Sequence, residues 1–310
     1  MKLGIQLWSQ RTSWPAFRDA ALAAEAAGLD SVWTWDHLLA IFGPWEQPIF
    51  EGWSLLSATA AVTSRIRLGL LVGANTFRNP GLTAKLATTL DHVSGGRAVL
   101  GIGGAWFERE HDAFGFDETW GSGVGERLDR LDEAVGLIRR LLDGERVSHD
   151  GRFYTLRDAL CEPRPLQAHL PILIGGAGPT KTLRTAARYA DLWNASALTT
   201  DRIESSVGIL AEHCRAEGRD PAAIELTVSF PIVIRDDVPA ARAAALERFH
   251  ANGVEDMGAG PHLAGPPSLI ADELRRFQEL GFTTVFARLP APYDRETIDR
   301  LGEVRALLDG

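Results

Sequence analysis

Eight short runs of apolar and β-branched residues alternate along this chain with longer stretches of helical periodicity. Such alternation predicts parallel strands joined by helical crossovers, because a tight turn cannot connect consecutive parallel strands. Pro15–Ala27 and Gly125–Leu142 show the helical pattern clearly. The predicted strands are Leu3–Trp8, Ser31–Trp35, Ile66–Val72, Ala98–Ile102, Pro171–Ile174, Asp191–Asn194, Ile224–Ile234 and Thr283–Leu289.

Two parallel α/β architectures compete for this pattern. A doubly wound sheet often carries a glycine-rich nucleotide fingerprint in its first turn, but Ser9–Ser13, after the first strand, contains no glycine. Eight repeats in 310 residues favour a (β/α)8 TIM barrel with insertion segments. Since no linker composition interrupts the chain, residues 1–310 are predicted to form a single domain. The candidate insertions are Leu39–Gly52, Trp106–Gly123, Ser148–Leu170 and Ala251–Pro267.

Composition narrows the possible partners and location. The formal net charge of -9 argues against bulk attraction to nucleic acid or to an anionic membrane. Only two cysteines are present, Cys161 and Cys214, and the chain shows neither a secretory segment nor an apolar run of about 18 residues. These features predict a cytoplasmic protein. The eight histidines do not cluster at ligand spacing, so no metal site is predicted.

The second predicted strand ends in Asp36 and His37, at the end of a barrel where the chemistry lies. Histidine is suited to proton transfer near neutral pH, and a neighbouring carboxylate can hold its tautomer. These residues are therefore candidate catalytic groups. The alternative is that Asp36 caps a helix and His37 is simply packed or solvated.

Three further strand ends carry residues that let the backbone approach a ligand closely. Leu71-Val72-Gly73-Ala74-Asn75 is a weak signal by itself, and Gly103-Gly104 fits either a flat ligand or a tight turn. Gly175-Gly176-Ala177-Gly178 leads into a helix whose first turn contains Lys181. Free N–H groups, the helix dipole and the lysine favour a phosphate there, with plain turn geometry as the alternative.

Other common catalytic motifs are missing from the sequence. It contains no His-Glu-x-x-His, no Gly-x-Ser-x-Gly and no Gly-Lys-Ser/Thr phosphate-loop ending, which disfavours metal-dependent hydrolysis, a serine nucleophile and nucleotide hydrolysis. The charged stretch formed by Glu108, Glu110, His111 and Asp112 is expected to be a solvated helical face.

Together these groups resemble the luciferase-like monooxygenase superfamily, and in particular its actinobacterial oxidoreductases that use the deazaflavin coenzyme F420. The resemblance covers nearly the whole chain and implies a barrel with a flavin or deazaflavin at its carboxyl mouth. The matching segments are Leu3–Gln6, Ala24–Ser31, Trp35–His37, Arg97–Gly103, Ile174–Gly178, Ala186–Asn194 and Phe282–Val285.

The resemblance also implies roles for individual residues. His37 matches a histidine that lies near the hydride-transfer carbon and donates or accepts a proton. Leu71-Val72 matches a strand-end bulge, often with a cis peptide, that supports the tricyclic ring. Asn75 and Gly103-Gly104 would line the ring or its sugar tail, and Gly175–Gly178 would hold the phosphate.

The function implied is an F420-dependent oxidoreductase that transfers a hydride to or from a small organic substrate. Ile41 and Gly104 replace a tryptophan and a glutamate of the sugar-phosphate dehydrogenase branch, which argues against that substrate. The alternatives are an FMN-dependent monooxygenase that uses reduced flavin and dioxygen, a non-catalytic flavin-binding protein, and an unrelated sugar-phosphate barrel.

Analogy with the family also implies a homodimer. Arg78 and Lys181 are the expected cations for an acidic coenzyme tail. Five aromatic residues are expected as a group to wall the mouth and exclude water: Trp8, Trp35, Trp45, Trp106 and Phe107.

Overall fold

The computed structural model describes residues 1–196, 200–255 and 262–310. The strands are β1 (Lys2–Leu7), β2 (Ser31–Thr34), β3 (Arg67–Leu70), β4 (Gly73–Ala74), β5 (Ala98–Gly103), β6 (Val147–Asp150), β7 (Thr155–Ala159), β8 (Ile172–Gly175), β9 (Leu192–Ser196), β10 (Glu225–Ile234), β11 (Leu263–Gly265) and β12 (Phe282–Leu289).

Helices occupy most of the connections between the strands. They are α1 (Trp14–Ala26), α2 (Gly52–Val62), α3 (Pro80–Ser94), α4 (Glu108–Phe114), α5 (Asp117–Trp120), α6 (Val124–Leu142), α7 (Thr182–Tyr189), α8 (Thr200–Ala216), α9 (Val238–Ala251), α10 (Pro267–Glu279) and α11 (Arg295–Asp309). Within the described residues, no helix is both long enough and apolar enough to cross a bilayer.

The main sheet closes on itself. Its strands follow the order β10-β12-β1-β2-β3-β5-β8-β9, and β9 pairs again with β10. All of these pairings are parallel, which makes an eight-stranded barrel with the helices outside. The (β/α)8 TIM barrel prediction is confirmed, and the doubly wound sheet is excluded.

Local sequence signals set the ends of the helices. The Ser13 Oγ accepts a hydrogen bond from the Ala16 N–H, and Pro15 follows in the first turn of α1. The Asn79 side chain caps α3 in the same way, and Gly95 ends that helix with a φ of 68°. Each cap satisfies backbone groups that a helix end would otherwise leave without partners.

Apolar side chains fill two layers. Between the helices and the strands, leucine, isoleucine and alanine residues form the large outer core. Inside the barrel lies a smaller core that consists of Trp33, Leu71, Val99, Leu173, Leu192 and Phe286, with Val72 packed against it. The barrel is therefore a packed structure below its mouth rather than an open pore.

The predicted insertions form distinct structures. Trp106–Gly123 includes α4 and α5, and Ser148–Leu170 includes most of an antiparallel hairpin of β6 and β7. Ala251–Pro267 includes β11, which pairs with β10, but its residues 256–261 lie outside the described part of the chain.

Candidate functional site

Parallel strands bring four predicted segments to the carboxyl end of the barrel. His37 follows β2, Leu71-Val72 follows β3, Gly104 follows β5, and Gly176–Gly178 follows β8. Because β2, β3, β5 and β8 are successive neighbours, these segments lie side by side along one half of the mouth.

His37 is held by a carboxylate from a distant insertion. Its Nδ1 lies 2.9 Å from Glu110 Oε2. The other oxygen, Oε1, accepts hydrogen bonds from the backbone N–H groups of Leu38 at 2.6 Å and Leu39 at 2.9 Å. Since ionised carboxylates only accept hydrogen bonds, His37 carries a proton on Nδ1. Its Nε2, with no hydrogen-bond partner among the described residues, is left available for proton transfer.

The expectation of a solvated charged face in α4 is wrong for two of its residues. The Glu110 side chain is 1% exposed and His111 is fully buried, whereas Glu108 and Asp112 are exposed. His111 contacts Thr76 Oγ1 through Nε2 at 2.7 Å and the Phe107 carbonyl through Nδ1 at 3.0 Å. No motif distinguishes Glu110 from its charged neighbours, so the sequence analysis missed it.

Asp36 does not hold the His37 tautomer, although its neighbouring position in the sequence suggested that role. Its buried carboxylate binds the Arg78 guanidinium at 2.6 and 3.0 Å, and Oδ2 also accepts the Ala74 N–H at 2.8 Å. Burial raises the pKa of Asp36 even though Arg78 opposes the shift. Arg78 also binds Glu51, so its charge is compensated and is not free for an acidic tail. Asp36 thus anchors the loop after β3, and Glu110 holds the histidine instead.

The Leu71–Val72 peptide is cis, as the family resemblance implied. Gln6 Nε2 donates to the Leu71 carbonyl at 2.8 Å and fixes this segment to β1. Val72 extends across the barrel toward β5 and β8, because a Cβ added at Gly103 or at Gly175 would lie only 2.8 Å from a Val72 methyl. The two glycines therefore leave room for Val72, which forms a floor beneath the mouth.

Asn75 presents an unsatisfied polar atom. Its Nδ2 donates to the Tyr154 hydroxyl at 3.0 Å, whereas its buried Oδ1 has no donor among the described residues. Burial raises the pKa of Tyr154, whose hydroxyl stays neutral. Tyr154 lies between β6 and β7, so that hairpin contributes a residue to the site that the sequence did not indicate.

The glycine-rich segment after β8 exposes backbone donors. Gly176 has a φ of 110°, a conformation that favours glycine. The N–H groups of Ala177 and Gly178 have no acceptor among the described residues, and α7 begins shortly afterwards. Lys181 Nζ, by contrast, binds Asp129 at 2.6 Å and the Gly125 carbonyl at 2.9 Å, so its charge is already compensated.

Aromatic side chains surround His37. The ring centroids of Trp35, Trp106 and Phe107 lie 6.1, 5.7 and 6.3 Å from that of the imidazole. The other two aromatics of the predicted wall differ in position. Trp8 is buried and stacks on Phe42, whereas Trp45 is partly exposed beneath the Arg109 guanidinium.

Three open hollows of about 390, 590 and 790 Å³ lie at the opposite end of the strands, each lined in part by Lys2. In TIM barrels that end contributes to stability, whereas the chemistry lies at the carboxyl end. Fold and geometry together define a (β/α)8 barrel with a histidine–carboxylate pair and exposed backbone donors at its carboxyl mouth.

Comparison with known proteins places this barrel in a family. The model of the luciferase-like monooxygenase family matches residues 1–255. An F420-dependent glucose-6-phosphate dehydrogenase from Kineococcus radiotolerans is 34% identical over 254 residues, which are 76% of this chain and 69% of that protein. An F420-dependent hydroxymycolic acid dehydrogenase from Mycobacterium tuberculosis is 34% identical over 241 residues, 76% of this chain and 63% of that protein.

A solved structure supports the fold. An F420-dependent secondary alcohol dehydrogenase in complex with an F420-acetone adduct superposes with a TM-score of 0.84 at 22% identity, and the match covers 99% of each chain. The chain belongs to the luciferase-like monooxygenase family, and the family and fold predictions are confirmed.

Proposed function

We propose that this protein is a coenzyme F420-dependent oxidoreductase that acts on a small organic substrate, with His37 as proton donor or acceptor. The observation that carries the proposal is the His37–Glu110 pair at the barrel mouth, which leaves Nε2 of the histidine available. The F420-dependent relatives at 34% identity support the choice of cofactor.

The residues at the mouth fit a flat redox group with a phosphate-bearing tail. Val72 offers an apolar, half-buried floor. The unsatisfied Asn75 Oδ1 offers an acceptor for a ring or sugar donor. The N–H groups of Ala177 and Gly178, which have no acceptor in the described part of the chain, offer donors for a phosphate just before α7. Gly103 makes room for a Val72 methyl and Gly104 lies against Leu128, so neither residue adds a side chain to the mouth.

Each part of the site then has a separate task. A deazaflavin, when bound, supplies hydride transfer. His37 Nε2 gives a proton to the substrate oxygen or takes one from it. Glu110 keeps the imidazole in the required tautomer and orientation. Trp35, Trp106 and Phe107 pack around the imidazole and limit its exposure to 15%, which strengthens the electrostatic interactions there.

Titration of the purified protein with F420 and, separately, with FMN tests the proposal. We expect saturable quenching of F420 fluorescence and no comparable affinity for FMN. Tight FMN binding with oxygen consumption from reduced flavin would instead identify a monooxygenase. Binding of F420 without turnover on a panel of alcohols, ketones and imines would identify a non-catalytic binding protein.

We further propose that the protein is cytoplasmic, because its two cysteines are free thiols, and that it forms a homodimer by analogy with its family. The apolar residues of α6, among them Leu131, Val135 and Ile138, are buried in the core, so this helix offers only its polar face to a second copy. Sedimentation equilibrium of the purified protein tests the assembly, and fractionation of the producing cells tests the location. A concentration-independent monomer mass would contradict the dimer.

A further inference from the structure

Arg288 lies on β12 with its side chain directed into the barrel. Side chains alternate along a strand, and Phe286, two residues earlier, packs on Trp33 inside the barrel at a centroid distance of 4.8 Å. Arg288 therefore points to the same side, one layer nearer the mouth. In register it pairs with Gln6 of β1 and Pro231 of β10.

The guanidinium of Arg288 has no counter-charge within the described ranges of the chain. Its Nε is buried without a hydrogen-bond partner, and its side chain makes no ion pair or hydrogen bond among the described residues. Burial lowers the pKa of Arg288 to about 10, so the group stays charged at neutral pH. Three other partly buried arginines have carboxylate partners: Arg78 binds Asp36, and both Arg235 and Arg248 bind Asp294. Arg127, which also makes no ion pair among the described residues, instead places its guanidinium over the Trp120 ring.

Ser229 on the neighbouring strand presents a second unsatisfied polar group. It pairs in register with Phe286, so its side chain also faces the interior, diagonally next to Arg288. Its buried Oγ has no hydrogen-bond partner among the described residues. A cation and a hydroxyl, neither of which has a partner in the described part of the chain, are therefore adjacent on one wall.

Burial of a charge is costly unless a partner is provided, so an unpaired arginine in a ligand-binding mouth indicates that the ligand supplies the partner. The guanidinium fork matches the two oxygens of a carboxylate. A single positive charge also matches a monoanion better than a phosphate dianion.

The position of Arg288 separates it from the phosphate donors. Around the closed sheet, β12 lies three strands from β8, which precedes the Ala177 and Gly178 donors, and four strands from β5. It lies only two strands from β2, which carries His37. An anion at Arg288 therefore lies on the β10–β12 wall, away from the N–H groups of Ala177 and Gly178.

We propose that Arg288 and Ser229 bind a carboxylate of the substrate, so that the protein acts on an organic acid. This inference rests on the proposed function, because it concerns the same mouth. The carboxylate occupies the β10–β12 wall, and the reacting carbon extends from it toward His37.

Benzoate and its neutral isostere benzamide are suitable probes for titration calorimetry on the F420-loaded protein. We expect benzoate to bind about tenfold or more tightly than benzamide, since a charged hydrogen-bonding partner gains most from a buried guanidinium. Arg288→Met should abolish the preference, and Ser229→Ala should reduce it in part. Arg11→Met, which removes an exposed arginine after β1, serves as the matched control and should leave it unchanged.

Arg288→Met is expected to fold with a melting temperature at or above that of the wild type, because it removes an uncompensated buried charge. Arg288→Lys, which keeps the charge but loses the fork, should retain part of the preference. Equal binding of benzoate and benzamide by the wild type would overturn the inference. The inference would also be overturned if Arg288→Met lost affinity for F420 but still bound benzoate more tightly than benzamide. Failure of the wild type to bind F420 would overturn the proposed function instead.

Discussion

His37 Nδ1 and Glu110 Oε2 lie 2.9 Å apart although 73 residues separate them in the chain. The insertion after β5 thus supplies the carboxylate for a histidine after β2. The backbone N–H groups of Leu38 and Leu39 hold that carboxylate, so the orientation of the imidazole depends on both segments.

Replacement of the carboxylate tests its positioning role. Glu110→Gln keeps the size of the side chain but replaces one acceptor oxygen with a donor NH₂, so either His37 or the backbone loses a partner. We expect kcat to fall by about 10- to 100-fold, as is typical for groups that orient a histidine, while F420 affinity changes little. Stopped-flow and fluorescence titration measure the two effects. Asp112→Asn, an exposed change two residues away, is the control, and a kcat within twofold of wild type would contradict the role.

Removal of the imidazole should have a larger effect on turnover. His37→Ala deletes the proposed proton donor or acceptor, and general acid–base groups contribute about 10²- to 10⁴-fold to rates. We expect a kcat reduction in that range with F420 still bound. His250→Ala, an exposed histidine of α9, should behave as wild type. Unchanged turnover of His37→Ala would remove His37 from the mechanism.

The Val72 floor predicts a difference between two glycine substitutions. Gly175→Ala places a methyl group 2.8 Å from Val72 Cγ1 and should destabilise the fold by about 1–3 kcal/mol. Gly208→Ala in α8 meets open space and should stabilise the protein by about 0.5–1 kcal/mol. Urea denaturation compares them. Equal effects would show that Val72 shifts freely.

The Asp36–Arg78 pair predicts non-additive stability changes. Arg78→Met leaves a buried carboxylate without its cation, which should cost about 3–5 kcal/mol. Adding Asp36→Asn removes that charge and should recover much of the loss. The exposed pair of Arg18 and Asp19 is the control, because Arg18→Met should cost less than about 1 kcal/mol. Urea denaturation measures the free energy of unfolding of each variant. If the loss in the double variant equals the sum of the losses in the two single variants, the coupling is contradicted.

His111 predicts loss of stability in mild acid. Burial lowers the pKa of His111, so the unfolded chain binds a proton at a higher pH than the folded protein does. Its contribution is therefore fully present above about pH 6.5, the unfolded value, and is lost as the pH falls through the lower folded pKa.

Calorimetry at pH 7 and pH 5 measures this contribution. The fall in melting temperature between the two should be smaller in His111→Gln than in the wild type, by on the order of 2 °C. His250→Gln, at an exposed position, should leave the pH dependence unchanged. An identical dependence in all three proteins would contradict a buried neutral His111.

Local sequence patterns were sufficient to predict the strands and helices, but not the side-chain contacts of the candidate site. All eight barrel strands follow from apolar β-branched runs, and the helical periodicity of Pro15–Ala27 and Gly125–Leu142 corresponds to α1 and α6. The cis bond at Leu71–Val72 came only from the family resemblance. Glu110 and Arg288 could not be found this way, because burial and the absence or presence of a counter-charge arise from residues far apart in the chain.

Val72 closes the barrel below the mouth. A planar group bound against it is therefore accessible to substrate from one face only. Hydride would then leave or reach the planar group on that open side alone. Transfer would accordingly be specific for one of the two hydrogens at the reacting carbon of the reduced group, whichever substrate is used, and deuterium placed on that side would pass to the product.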